Sequence, residues 1–159
     1  MPRFEHTVEI DADPTVLFDL TQNYQQRLQW DPFLKIAHLI DAEEPAVGVR
    51  AWCVAHTGVG METEYVSYAR PTVVAVKMTR GPALLSAFAG SWRFEEIEPE
   101  RTRVTFTYFF EARPAILAWL LNPLLNSYLS HEMHQRIEAL KRAVSTNASR
   151  SATRREVDL

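Results

Sequence analysis

Six short runs with strand patterning follow one another between Lys35 and Glu111: Lys35–Asp41, Val49–His56, Met61–Ala69, Val73–Thr79, Phe88–Ile97 and Arg103–Glu111. The connections carry Glu43-Glu44-Pro45, Thr57-Gly58-Val59-Gly60, Arg70-Pro71, Gly81-Pro82 and Glu98-Pro99-Glu100-Arg101, where Gly or Pro supplies the backbone angles of a tight turn. Parallel neighbours need a crossover of a dozen or more residues, so these runs must pair antiparallel. In the last two, Phe88, Trp92, Phe94 and then Val104, Phe106, Tyr108, Phe110 alternate with Ser91, Arg93, Glu95 and Arg103, Thr105, Thr107. One face of that hairpin is aromatic and the other polar.

Upstream, Phe4, His6, Val8 and Ile10 alternate with Glu5, Thr7 and Glu9, which predicts a further strand. Asp13-Pro14 then starts a helix, because Asp13 can accept from free backbone N–H groups and Pro14 has none to leave unsatisfied. Its apolar stripe is Val16, Leu17, Leu20 and Tyr24; a second short helix is expected over Gln25–Gln29, broken by Trp30-Asp31-Pro32-Phe33.

From Ala115 to about Ser145 the period switches to that of a helix. Ile116–Leu125 is apolar nearly all round and is expected to be covered on more than one side. Further on, Leu129, Met133, Ile137, Leu140 and Val144 form one stripe against Glu132, Gln135, Arg136, Glu138, Lys141 and Arg142. Pro123 is expected to kink or divide the element. Residues 146–159 lack periodicity and are rich in Ser, Thr, Ala and Arg, as expected of a disordered tail.

A chain of 159 residues suits one domain. Its 17 basic and 20 acidic residues give a formal charge of −3 with no basic cluster in the body, so nucleic acid is not expected as a partner. A single cysteine, Cys53, precludes an intrachain disulfide and fits a reducing cytoplasm. The N-terminus is charged where a signal peptide would be apolar. The uncharged stretch Pro114–Ser130 is broken by Asn122, Pro123, Asn126 and Ser127 and is short of a membrane span, so stable membrane insertion is not expected. The sequon Asn147-Ala148-Ser149 matters only in a secretory pathway.

The order strand, two short helices, six strands and one long helix predicts an α+β domain over residues 1–145: a curved antiparallel sheet of about seven strands wrapped around the long C-terminal helix. One helix covers only part of one face, so surplus aromatic side chains would face a gap. The sequence resembles the START/SRPBCC superfamily of helix-grip proteins, and within it the polyketide cyclase/dehydrase-like group, from Phe4 to Val144. The fragments that carry the resemblance are Ile10-Asp11-Ala12-Asp13-Pro14 with Val16-Leu17-Phe18-Asp19, Trp30-Asp31-Pro32-Phe33, Val47-Gly48-Val49-Arg50, and Gly90-Ser91-Trp92-Arg93-Phe94 paired with Thr102-Arg103-Val104-Thr105-Phe106.

The resemblance implies a deep apolar cavity between sheet and helix that binds a small hydrophobic or amphipathic molecule, such as a lipid, quinone or aromatic polyketide. The same scaffold houses aromatase/cyclases, so a polyketide cyclase or dehydratase activity is the alternative. A third reading is an interaction module in which Ile116–Leu125 packs on another protein or forms a homodimer. No motif implies a cofactor.

Trp52, Tyr65, Trp92, Phe94, Phe106, Tyr108, Trp119, Leu120, Leu124 and Tyr128 are expected to line or border the cavity; for each, plain core packing is the alternative. Both parities of Val49–His56 hold apolar residues. The resemblance favours Arg50, Trp52 and Val54 inward, with Arg50 meeting Glu62 or Glu64 as an ion pair or as the anchor of an anionic ligand head. The other parity leaves Arg50, Glu62 and Glu64 on the solvated face. No residue is assigned a catalytic role.

His131 and His134, three apart with Glu138 beyond, lack the spacing of a zinc peptidase and are expected on the polar flank of the helix; no metal is expected. His6 reads as a hydrogen-bonded core histidine, Cys53 has no CxxC partner, and Gly58-Val59-Gly60 is a turn rather than a phosphate loop. Arg150, Arg154 and Arg155 are offset by Glu156 and Asp158.

Overall fold

Each alternating run becomes a strand of one sheet. The computed structural model of the protein describes residues 2–157. Its elements are β1 (Arg3–Ile10), α1 (Pro14–Gln22), α2 (Tyr24–Trp30), β2 (Leu34–Ile40), β3 (Arg50–Ala55), β4 (Gly60–Ala69), β5 (Val73–Arg80), β6 (Leu85–Glu98), β7 (Arg101–Ala112), a single 3-10 turn at Ala115–Leu117, and α3 (Ala118–Val157). The sheet is antiparallel in the order β1-β7-β6-β5-β4-β3-β2. The fold is thus the α+β helix-grip arrangement, with α1 and α2 carrying the chain from one sheet edge to the other.

Local chemistry sets the helix starts. The Asp13 carboxylate accepts from the Thr15 N–H at 2.7 Å and Pro14 opens α1. Asn23 ends α1 and caps α2, accepting from the Gln26 N–H at 3.1 Å. The α2 helix is longer than the Gln25–Gln29 expected, because that cap lets it begin at Tyr24.

The aromatic face of β6 and β7 is the centre of the core. Trp92 pairs with Phe106 across the strands, their rings stacked at 3.8 Å, and Phe18 of α1 meets Phe94 edge-on at 5.7 Å. Met133, Ile137 and Leu140 of α3 are buried against this face, each burial contributing about 2 kcal/mol.

The expected cover over the start of the C-terminal helical region is corrected. Ile116, Leu117, Trp119, Leu120 and Leu124 are exposed, Ile116 at 81% and Trp119 at 76%, and no other segment among the described residues covers them. An all-round apolar helix shows a need for cover without showing that the same chain supplies it. Pro123 lies inside α3 without dividing it; so near the helix start it forgoes only the bond to the Trp119 carbonyl.

The helix also continues through the segment read as a disordered tail, as far as Val157; Asp158 and Leu159 lie outside the described residues. No helix among the described residues is long and apolar enough to cross a membrane.

Because Trp119 is so exposed, Trp119→Ser should change stability by no more than about 0.5 kcal/mol. Thermal denaturation at two protein concentrations checks this; a large loss that varies with concentration would place Trp119 in an assembly interface.

The half-buried His6 packs its ring 3.8 Å from that of the exposed His134, instead of standing as a hydrogen-bonded core residue. Burial and then the His134 charge, outweighing Glu138, hold the His6 pKa below its ordinary value. The unfolded chain therefore takes up that proton first, and stability falls as pH drops from about 7 through the ordinary histidine value of about 6.5. Denaturant titrations on either side of that value should show a smaller fall for His6→Gln.

Candidate ligand-binding site

A cavity of about 170 Å³ lies between the concave face of the sheet and α3. Its apolar walls are Val74 and Val76 of β5, Phe88 and Trp92 of β6, Phe106 of β7 and Leu34 of β2. Val59 in the β3–β4 turn, Pro82 before β6 and Leu129 of α3 also border it, and the exposure of Val59 marks this side as the one nearer solvent.

The inward parity of β3 is the one the resemblance did not favour. Cys53 and Ala55 face the cavity, while Arg50, Trp52 and Val54 take the opposite face. Arg50 pairs with Glu62 at 3.3 Å on the solvated side, and Glu62 also accepts from the Thr79 hydroxyl at 2.8 Å. The Trp52 indole packs against Gly60, where an added Cβ would stand 2.5 Å from the ring, and Arg80 covers the ring at 5.7 Å. An outward tryptophan is stable there because Gly60 leaves the space.

Polar groups gather on one side of the cavity. Asp31, buried just past the end of α2, accepts through Oδ2 from Arg27 Nε at 3.0 Å and from Arg136 Nε and Nη2 at 3.1 and 2.9 Å. Its Oδ1 accepts from the Phe33 N–H at 3.0 Å. Arg136 Nη1 donates to the Tyr108 hydroxyl, and the guanidinium lies over Phe33 and Phe106. Burial works against the charge on Asp31, but the two guanidiniums outweigh it and hold its pKa below the usual carboxylate range.

A second chain of bonds runs beside the first. Tyr65 donates to Gln22 Oε1 at 3.1 Å, so the 3.0 Å contact between the two tyrosine hydroxyls has Tyr24 as donor. Gln22 Nε2 continues to the Thr21 hydroxyl, and that to the Phe18 carbonyl. Burial pushes the Tyr24 phenol up to about 12 and raises Tyr65, Tyr108 and the Cys53 thiol. At neutral pH all four are protonated.

Of the residues expected at the cavity, Tyr65, Trp92, Phe106 and Tyr108 line it. Phe94 is buried behind Trp92 in the core. Trp52 is on the outer face, and Trp119, Leu120, Leu124 and Tyr128 are exposed on the first turns of α3. The cluster of Arg27, Asp31 and Arg136, with Tyr24 and Gln22, is not among the residues expected from the sequence. One signal for it exists there: Arg136 falls in the apolar stripe itself, between Met133 and Ile137. His131 and His134 lie on the exposed flank as expected.

Solved structures share this fold at low identity. A Thermus thermophilus protein, TTHA0849, superposes with a TM-score of 0.77 at 19% identity, over 92% of this chain and 99% of that one. A START superfamily protein from Mycobacterium smegmatis gives 0.73 at 14% identity, over 91% and 97%. The Zhui aromatase/cyclase from a Streptomyces species gives 0.70 at 15%, over 90% and 95%. No curated protein matches the sequence. Residues 1–145 match the family model described as polyketide cyclase / dehydrase and lipid transport, and the chain belongs to that family.

Proposed function

We propose that this protein binds a small hydrophobic or amphipathic molecule in the cavity between sheet and α3, acting in the reducing cytoplasm. The observation that carries the reading is a space bounded mainly by Val74, Val76, Trp92 and Phe106 and left unfilled by a core that is otherwise closely packed. An empty apolar cavity of about 150 Å³ accepts benzene, so 170 Å³ suits one or two rings or a short chain. Burying ~200 Å² of such a ligand contributes about 5 kcal/mol before association costs, so an apolar body alone binds modestly.

Mass spectrometry of an organic extract from gently purified protein tests this, together with uptake of fatty acids, short-chain quinones and small aromatic polyketides. A co-purifying compound, or saturable one-to-one uptake, is expected. No bound compound and no uptake of any of the three classes would overturn the reading.

A second reading, cyclisation or dehydration of a polyketide-like substrate, is favoured by the donors Arg27, Arg136 and Tyr108 at the cavity, which would polarise a carbonyl. Asp31 stands behind the lining, its charge held by two guanidiniums, and the phenols and thiol keep their protons, so Glu132 is the lining carboxylate left to act as base. Under this reading Glu132→Gln abolishes turnover of a model poly-β-ketone without loss of binding; unchanged turnover would contradict it.

A further inference from the structure

Two guanidiniums share one carboxylate beside the cavity. Oδ2 of Asp31 accepts three N–H groups, all from the two guanidiniums, and Oδ1 accepts a fourth from the Phe33 backbone. The trio therefore carries one positive charge more than negative, in side chains only 11% and 6% exposed for Arg27 and Arg136. An unbalanced charge is costly at such burial. Glu132 also lines the cavity, one helical turn before Arg136, but it forms no ion pair with either guanidinium among the described residues.

The hydrogen bonds tell the same story. Arg136 uses all three of its nitrogens. Arg27 uses Nε and, at 3.5 Å, Nη1 towards the Thr21 carbonyl, while its Nη2 has no acceptor among the described residues. Tyr108 accepts from Arg136 and so has its own O–H to give. Tyr24, Tyr65 and Gln22, in contrast, close on one another and on Thr21. On the polar side of the cavity Arg27 Nη2 and the Tyr108 O–H are uncommitted donors, and the Arg27–Asp31–Arg136 charge they accompany is positive; the lining carboxylate Glu132 is not ion-paired to it among the described residues.

We infer that the ligand is a small organic monocarboxylate, its oxygens received by Arg27 Nη2 and the Tyr108 hydroxyl and its apolar body placed against Val74, Val76 and Trp92. The carboxylate supplies the missing negative charge and the missing acceptors together. This rests on the reading of the cavity as a ligand site, and adds the sign of the ligand's charge and the end at which it binds.

Matched probes test it: phenylacetate against 2-phenylethanol and octanoate against octan-1-ol, titrated near pH 7.5 by calorimetry and tryptophan fluorescence. Each acid is expected to bind about ten- to a hundredfold tighter than its alcohol, the effect of a charged hydrogen bond in a buried site. Arg27→Met, which leaves Asp31 and Arg136 balanced one to one, should bring the acid down to the affinity of the alcohol, with Arg27→Lys in between. Acids and alcohols binding equally to the wild type would overturn the inference and leave the cavity reading standing. Binding of neither, up to millimolar concentrations, would overturn both.

Discussion

Replacing Asp31 with Asn should destabilise the protein by roughly 3–5 kcal/mol, since removing one partner of a buried ion pair leaves the other charge uncompensated. Here it leaves two, because Arg27 and Arg136 both depend on that carboxylate. Asp31 also ties together three parts of the fold: α2 through Arg27, the segment entering β2 through the Phe33 N–H, and α3 through Arg136. The loss corresponds to about 6–20 °C in melting temperature for a chain of this size. A change under about 3 °C would mean that the cluster contributes little.

The same carboxylate gives stability a pH dependence with a defined sign. Its folded pKa lies below the unfolded value of about 3.9, so its contribution is present above that value and is lost as pH falls through the folded one. Wild-type stability should drop steeply below about pH 4, and the Asp31→Asn variant, already lacking the charge, should show a shallower acid limb.

The second large effect is on binding. Val76 stands on β5 between Tyr65 of β4 and Gly90 of β6, with its side chain on the cavity wall. Val76→Phe extends a ring into space that is already empty, so it should fold with unchanged or raised stability; cavity filling commonly adds about 0.5–2 kcal/mol. Uptake of any ligand seated in the cavity should fall more than tenfold. Higher stability with lost uptake identifies the void as the binding site. Undiminished uptake would place the ligand elsewhere on the molecule.

Much of this fold can be read from residue order. The parity of Phe88, Trp92, Phe94 and Val104, Phe106, Tyr108, Phe110 determines which side of β6 and β7 is inward, because each polar partner points the other way. The β3 strand lacks that contrast: Ala51, Cys53 and Ala55 are as compatible with an interior as Trp52 and Val54. What decides it is the bare backbone of Gly60 on the neighbouring strand, against which the indole packs. The polar cluster is hidden for a different reason. Arg136 and Asp31 are 105 residues apart and meet only because α3 crosses the end of α2. Read singly, one is a surface arginine and the other a helix breaker. The first turns of α3 show what patterning cannot settle, for Trp119 and Leu124 are apolar yet stand in solvent.

The most direct measurement is methyl-detected NMR of the protein with phenylacetate or a compound recovered from its own extract. Cross-peaks are predicted from the ligand to the methyl groups of Val74, Val76 and Leu34, on the cavity wall. Cross-peaks confined to Ile116 of the 3-10 turn and to Leu120 and Leu124 on the exposed start of α3 would contradict the account and make that surface the binding site.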